Sequence, residues 1–294
     1  MLIFQYKGDV PMLTKYITSI EIRKIFDNTN RKIEYLRGIY KELGIERPIP
    51  RTVVSINNAI IDTWSYEISK NIIREMFFRS DKYLKGLNCK ERIDFLIDDW
   101  NENALGNIEW PFSAMNFDNH VARLNRMEDL TENEKDEIIS TDVIKFRRIK
   151  DINTCRNDYI ESLIVRYNDN IIPTFRHSRG VDFYIDGIPF DQKVSRSVGG
   201  SFIDNYEDDF YNIAINNPEL VAISLYENQD EERFDADPRL YVVYLDNDIS
   251  SESIEQSIID CDFNAPFDIE FEYKHSGNNY RTYRTFCYII LLHN

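Results

Sequence analysis

The stretch "RGVDFYIDGIPFDQKVS", residues 179–195, decides the expected fold because its pattern is that of a short β-hairpin. Asp186 and Gly187 form a favoured two-residue turn, since both central residues of such a turn need positive φ and these residue types tolerate it best. Apolar and polar residues alternate on either side of the turn, as in a half-buried strand. The segment therefore predicts two antiparallel strands joined at Asp186-Gly187.

The register of this hairpin places three charged side chains on one face. If Ile185 faces Ile188 across the turn, stepping outward brings Asp182 opposite Asp191. Lys193 shares their face because successive side chains of a strand alternate. The opposite face is then expected to be apolar and to consist of Val181, Phe183, Ile185, Ile188, Phe190 and Val194.

Two directly opposed carboxylates repel each other, at a cost of up to about 1 kcal/mol, unless a cation lies between them. Oxygen ligands suit Mg²⁺, a hard ion that keeps several waters and takes one or two carboxylates from the protein. A neighbouring lysine can orient water or stabilise charge that develops on phosphorus. The hairpin thus predicts a site for Mg²⁺, with Mn²⁺ as a substitute, and the alternative is a structural polar hairpin.

Asp182, followed after eight residues by Asp191-Gln192-Lys193, resembles the signature of PD-(D/E)XK nucleases, the restriction-endonuclease-like family. The resemblance implies that Asp182 and Asp191 bind Mg²⁺ and that Lys193 assists the attack of water. It also implies a mixed β-sheet core flanked by helices. The string Asp262, Glu272, Lys274 has nearly the same order, but it has no tight turn between its acids and is the poorer hairpin.

Many members of this family carry a helical glutamate upstream of the first aspartate, and Glu161 in "RNDYIESLIVRY", residues 156–167, resembles it. The resemblance implies that Glu161 touches the metal site directly or through water. The alternative is an exposed helix residue. Gly180-Val181 replaces the proline that the family nominally has before its first aspartate.

Residues 1–152 are expected to form a mainly helical region for recognition or dimerisation. Apolar residues recur at helical spacing in "NRKIEYLRGIYKELG", in "SINNAIIDTWSYEISKNIIREMFF" and in "KERIDFLIDDW". Gly44 suits the end of the first helix, Ser55 is a candidate N-cap of the second, and Thr131 with Glu134 has the spacing of a capping box.

Residues 153–294 are expected to form a nuclease core with the catalytic hairpin at 180–195, so the fold class is α+β or α/β. A helix in "FIDNYEDDFYNIAI" is followed by two apolar runs interpreted as strands, "LVAISLY" and "RLYVVYL". The acidic run "ENQDEERFDADP" between them is interpreted as a solvated loop. The end, "FDIEFEYKHSGNNYRTYRTFCYII", predicts two strands around a Gly-Asn turn.

The chain has 294 residues and a net charge of −16, which by itself argues against a nucleic-acid partner. The charge is uneven, however: residues 1–155 hold 24 Lys and Arg against 25 Asp and Glu, whereas residues 156–294 hold 11 against 26. Around the hairpin, Arg176, His177, Arg179 and Arg196 are candidate phosphate contacts, and simple ion pairing with nearby acids is the alternative. Basic residues of the helical region, such as Lys32 and Arg148, could supply further contacts.

No stretch approaches the roughly 18 apolar residues that span a bilayer, and "MLIFQYKGDV" lacks the features of a secretory signal, so a cytoplasmic protein without a membrane partner is expected. Four scattered cysteines suggest neither a disulfide framework nor a zinc site.

The expected function is therefore a Mg²⁺-dependent endonuclease acting on double-stranded DNA, most like a sequence-specific type II restriction enzyme and working as a homodimer. The first alternative is a repair or defence nuclease of the same family without a fixed target sequence. From another class, the acidic second part suggests a non-catalytic interaction protein, and a two-carboxylate glycosidase would leave Lys193 unexplained.

Overall fold

Helices make up the first half of the molecule and a mixed sheet organises the second. The computed structural model describes residues 17–112, 116–178, 180–229, 236–277 and 279–294, without the side chains of residues 177 and 178. The helices described are α1 (Ser19–Ile25), α2 (Thr29–Glu42), α3 (Val53–Thr63), α4 (Tyr66–Phe78), α5 (Asp81–Glu102), α6 (Phe117–Asn125), α7 (Glu132–Tyr167), α8 (Gly200–Tyr206), α9 (Phe210–Asn216), α10 (Pro218–Glu227) and α11 (Ser251–Asp260), with a 3₁₀ turn at Glu207–Asp209.

Six strands form one sheet in the order β1-β2-β3-β4-β6-β5. Their bounds are β1 (Ile171–Ser178), β2 (Val181–Ile185), β3 (Ile188–Ser195), β4 (Arg239–Tyr244), β5 (Phe267–His275) and β6 (Asn279–Leu292). β1, β2 and β3 are antiparallel neighbours, β4 is parallel to both β3 and β6, and β5 is antiparallel to β6. The expected mixed class of helices and strands is confirmed.

The helix boundaries follow local capping chemistry. The Thr131 side chain accepts the N–H of Glu134, and the Glu134 side chain accepts the N–H of Thr131, so the capping box is confirmed. Gly44 has φ of 63° just after α2, as a helix end requires. Ser55 is not an N-cap: Thr52 caps α3, and its hydroxyl accepts the N–H of Ser55.

The expected single helix over residues 55–78 is two helices, α3 and α4, because the chain becomes extended at Trp64, which has ψ of 123°. Ser65 then begins the second helix. The apolar stripe continues across this break, so periodicity alone could not reveal it.

The hairpin has the predicted turn and register. Asp186 and Gly187 have φ of 49° and 82°, and Phe183 pairs with Phe190, Tyr184 with Pro189, and Ile185 with Ile188. β3 then changes partner: from Asp191 onward it pairs with β4, so one strand joins the antiparallel and parallel parts of the sheet.

The expected division of the hairpin into an apolar and a charged face is only half right. Phe183, Ile185 and Phe190 lie in the core under α5 and α7, but Val194 is 38% exposed. Tyr184, on the face predicted to be charged, is buried together with Val181 against α1–α4. The helical first half therefore covers this face of β2, and the register of β1 against β2 shifts after Pro173.

The second correction concerns "LVAISLY", which is the helix α10 and not a strand. Pro218 occupies its first turn, where a missing N–H costs nothing. Its buried residues Val221, Ala222 and Tyr226 recur at helical spacing and pack on the sheet beside Tyr241 and Val243. A short, mainly apolar run fits a strand or a buried helix equally well, and here the tertiary contacts decide.

The strands predicted in "RLYVVYL" and at the C-terminal end are confirmed as β4, β5 and β6. In β4, Leu240 and Val242 face the core under α7, whereas Tyr241 and Val243 face α10. Both faces of β4 are therefore covered, which explains its nearly continuous apolar sequence.

The division of the chain at residue 152 stays a prediction. The helix α7 runs through this position without a break, and residues from α1–α4 share an apolar cluster with Ile172 of β1. Half of the predicted acidic loop 227–238, residues 230–235, lies outside the described residues, as does the whole N-terminal stretch 1–16. In the part of the chain that is described, no helix is both long and apolar enough to cross a membrane, and all four cysteines are free thiols.

Candidate functional site

The start of the β3–β4 pairing holds the aspartate and lysine of the candidate motif. Asp191 Oδ2 lies 2.5 Å from Lys193 Nζ, so the two side chains share a face as the alternation predicted. The Asp191 side chain is 11% exposed and that of Lys193 is 46% exposed. The Asp191 carboxylate is therefore mostly buried, whereas the Lys193 ammonium group is partly exposed to solvent.

The Asp182 side chain forms a hydrogen bond to β3 just beyond the last backbone pair of β2 and β3. The β2–β3 pairing ends at Phe183 and Phe190, and the N–H of Gln192 donates to Asp182 Oδ2 over 2.8 Å. The N–H of Asp191 donates instead to the carbonyl of Pro238. The carboxyl group of Asp182 is thus held against the peptide that links Asp191 to Gln192.

Burial raises the pKa of Asp182 from 3.8 to about 6, because a charged carboxylate loses hydration there. The Gln192 N–H opposes this rise, whereas the carboxylates of Asp191 and Glu161 add to it and the ammonium group of Lys82 again opposes it. The charges of one acid on a strand and one on a helix therefore act on Asp182, and the role of the three acids as a metal site stays a prediction.

Glu161 reaches this region from α7 and is not an exposed helix residue. Its side chain is 13% exposed and forms an ion pair with Lys82 of α5, which is 24% exposed. Lys82 Nζ also donates to the carbonyl of Thr174 over 3.4 Å, and the Thr174 hydroxyl donates to the carbonyl of Asp182 over 3.0 Å. Lys82 thus connects Glu161 to the strand next to Asp182.

Sequence reasoning missed Lys82. It lies in the first turns of α5, far along the chain from the hairpin, in a region whose charges are nearly balanced. No local motif marks it. Only the packing of α5 against α7 brings its ammonium group to Glu161.

The acids supply oxygen ligands that fit Mg²⁺, because this ion needs only one or two carboxylates from a protein. Asp182 and Asp191 are such a pair, and a cation between them would oppose the mutual repulsion that raises the pKa of Asp182. In this structure Glu161 forms an ion pair with Lys82, and Asp191 forms one with Lys193. Among the described residues, no three His, Cys, Asp or Glu side chains are grouped so that they could hold a metal ion.

The candidate phosphate contacts have different positions. Arg176 is exposed on β1. Arg196 follows β3, and its guanidinium group lies 4.4 Å from the centre of the Trp110 ring. The His177 side chain and Arg179 lie outside the described residues.

Two basic residues of the helical region have structural partners. Lys32 is buried and donates to Asn57 Oδ1 over 3.0 Å. Arg148 lies 3.1 Å from an oxygen of Asp99. These two cations support the packing of the helices.

The rival string is spread over a loop and a strand. Asp262 accepts the N–H of Asn264 in the loop before β5, whereas Glu272 and Lys274 are exposed on β5. These positions lie on separate elements rather than at matching places on a hairpin.

Comparison with known proteins identifies no relative. No family model matches this chain, no curated protein matches it in sequence, and no solved structure matches it. The site has to be interpreted from its own chemistry.

Proposed function

We propose that this chain is a Mg²⁺-dependent endonuclease that hydrolyses phosphodiester bonds of double-stranded DNA. The observation that carries the proposal is that the Asp182 carboxyl group accepts the N–H of Gln192, the residue between Asp191 and Lys193, and so lies beside the Asp191–Lys193 ion pair. Burial first, and then the charges of Asp191 and Glu161, raise the pKa of Asp182 to about 6. Perturbed carboxyl groups beside a lysine are typical of catalytic sites. The position of Lys193 at the mouth of the site supports the same interpretation.

Asp182 and Asp191 would hold the ion, with Glu161 as a further ligand or a support through water. Bound Mg²⁺, or Mn²⁺ in its place, supplies Lewis-acid polarisation of the phosphate and lowers the pKa of water. The ammonium group of Lys193 lies where it can orient water and stabilise negative charge on phosphorus. Lys82 holds Glu161 through its ion pair and keeps a positive charge beside Asp182.

The form of this activity that we favour is that of a type II restriction enzyme, which cuts at a fixed sequence. One active site cuts one strand, so cleavage of a duplex is expected to need a homodimer. A nuclease without sequence preference is the runner-up. It would give a smear of products where the restriction enzyme gives discrete fragments.

The test is cleavage of a long DNA of known sequence with Mg²⁺, with Mn²⁺ and with EDTA. We expect discrete fragments with either ion, none with EDTA, and a loss of at least about 100-fold in rate for Lys193→Ala. Lys274→Ala is the matched control, because Lys274 is the only other lysine after residue 155 and is exposed on β5. Cleavage by Lys193→Ala at the wild-type rate would overturn the assignment, and a folded wild-type protein that cuts no DNA would favour the acidic interaction protein.

A further inference from the structure

An open cavity of about 340 Å³, whose lining includes none of the candidate acids, lies between Pro111-Phe112 and one face of α6. Among the described residues, six line it: Pro111, Phe112, Asn116, Asn119, His120 and Arg123. Its volume is at the lower end of the range for small-molecule sites. The lining combines aromatic rings, two amides and one guanidinium group.

His120 forms the polar floor of this cavity and is fixed by two partners. Its side chain is 7% exposed, and Nε2 lies 2.7 Å from Asp142 Oδ2 on α7. Arg123 NH2 lies 3.3 Å from the other ring nitrogen, Nδ1. Because a guanidinium group can only donate, Nδ1 is the acceptor and Nε2–H donates to Asp142. In this arrangement the imidazole ring holds the guanidinium group of Arg123 in place.

Arg123 supplies the positive charge of the cavity. It is exposed, and within the described residues its one hydrogen bond is to His120. A guanidinium group carries five N–H donors, so further donors remain for a ligand. Such a fork is suited to the oxygens of a phosphate or to the acceptor edge of a base.

The two amides leave donors and an acceptor beside each other. Asn119 Nδ2 donates to Asn116 Oδ1 over 3.3 Å, and both side chains are exposed. Asn119 Oδ1 and Asn116 Nδ2 then remain available. An amide donor with an amide acceptor is the pair that recognises the edge of a nucleobase.

A row of contacting planar groups links the cavity to Arg196, the residue after β3; Trp110 and Phe146 are tilted by 54°, whereas the Phe146–Phe112 and Phe112–His120 pairs are stacked. Successive separations from the Arg196 guanidinium group are 4.4 Å to the first ring, then 4.7, 5.4 and 4.9 Å between ring centres. The row consists of Arg196, Trp110, Phe146, Phe112 and His120. Arg196 directly follows β3, so the row runs from the strand that carries the candidate lysine to the cavity.

We infer that this cavity binds an unpaired nucleobase of the DNA on which the candidate site acts, with Arg123 on its phosphate or acceptor edge and the two asparagines on its polar edge. The inference rests on the proposed function for the identity of the substrate. Stacked aromatic rings beside amide and guanidinium groups are the means by which proteins hold unstacked bases.

The test compares two end-labelled 20-base-pair duplexes, one fully paired and one with a single unpaired adenine, by fluorescence anisotropy in EDTA. We expect the wild-type protein to prefer the unpaired adenine by about tenfold, and Arg123→Ala and Asn119→Ala to lose this preference. Arg126→Ala is the matched control, because Arg126 is an exposed arginine at the end of α6 that does not line the cavity. It should keep the preference.

The inference is wrong if the wild-type protein shows no preference, if Arg123→Ala retains it, or if Arg126→Ala loses it equally through a general charge effect. Cleavage of the same duplexes with Mg²⁺ separates this inference from the proposed function. Arg123-dependent preference without cleavage would leave the cavity assignment standing and remove the nuclease. Cleavage without a preference for the unpaired adenine would support the nuclease and remove the cavity assignment.

Discussion

At the scale of single residues, Asp182 has the clearest consequence for stability. Its pKa in the folded protein is about 6, above the ordinary value of 3.8, so the folded protein binds this proton more tightly than the unfolded chain does. The resulting stabilisation is fully present below pH 4 and is lost as the pH rises through about 6. Above that pH the charged carboxylate opposes folding.

Asp182→Asn should therefore raise the free energy of unfolding at pH 8 by about 2 kcal/mol, and by little at pH 4. The amide oxygen can still accept the Gln192 N–H, so the hairpin should keep its shape. Urea denaturation at the two pH values measures the effect. Asp186→Asn is the control, since Asp186 is exposed at the turn of the same hairpin; equal effects of the two substitutions would contradict a buried, perturbed Asp182.

At the scale of elements, the contact between α5 and α7 sets the position of the Lys82–Glu161 pair. Gly86 lies one turn after Lys82, and a Cβ added there would meet Ser162 Oγ at 2.0 Å and the Asp158 carbonyl oxygen at 2.3 Å. Ser162 is the neighbour of Glu161. The two helices can approach so closely only because residue 86 has no side chain.

Gly86→Ala should destabilise the protein by about 3 kcal/mol, because the clash includes backbone and the helices must move apart. The measurement is urea denaturation followed by circular dichroism. Gly38→Ala serves as the control, since its added methyl group would meet only the Ile72 side chain, at 3.0 Å. That clash should be relieved at little cost, so a similar loss for both variants would show that the α5–α7 contact is not special.

The hairpin and the ends of the long helices could be predicted from sequence because short-range chemistry determines them. Positive φ at Asp186 and Gly187, and the capping of α7 by Thr131, depend on residues within a few positions. The break between α3 and α4 could not be predicted, because the apolar stripe continues across it. The same limit applies to α10, whose apolar run fits a strand or a helix.

At the scale of the whole molecule, the candidate site combines residues from both halves of the chain. Lys82 comes from the helical first half, whereas Asp182, Asp191 and Lys193 come from the sheet. The ion pair of Lys82 with Glu161 joins the two halves, and both of its side chains are mostly buried. Loss of one partner leaves a poorly hydrated charge behind.

Lys82→Met should lower the free energy of unfolding by about 2 kcal/mol, and adding Glu161→Gln should recover part of that loss. Lys85→Met is the matched control: Lys85 pairs with Asp158 at 2.9 Å but is 69% exposed, so its loss should stay below about 1 kcal/mol. The measurement is the free energy of unfolding by urea, in one buffer, for Lys82→Met, for Lys82→Met with Glu161→Gln, and for Lys85→Met. Equal losses for Lys82→Met and Lys85→Met, or no recovery in the double variant, would contradict a buried structural pair.

The sequence by itself predicted the hairpin, its register as far as Phe183 and Phe190, and the shared face of Asp191 and Lys193, because a two-residue turn and the alternation of a strand fix these positions locally. Only the tertiary structure decided that Lys82 faces Glu161, that helices cover the second face of β2, and that His120, Asn119 and Arg123 line a cavity. Lys82 and Glu161 are distant along the chain, as are β2 and the helices that cover it, whereas the cavity residues are neighbours on or near α6. They meet through the packing of α6 and α5 against α7 and of α1–α4 against the sheet, which no local pattern encodes.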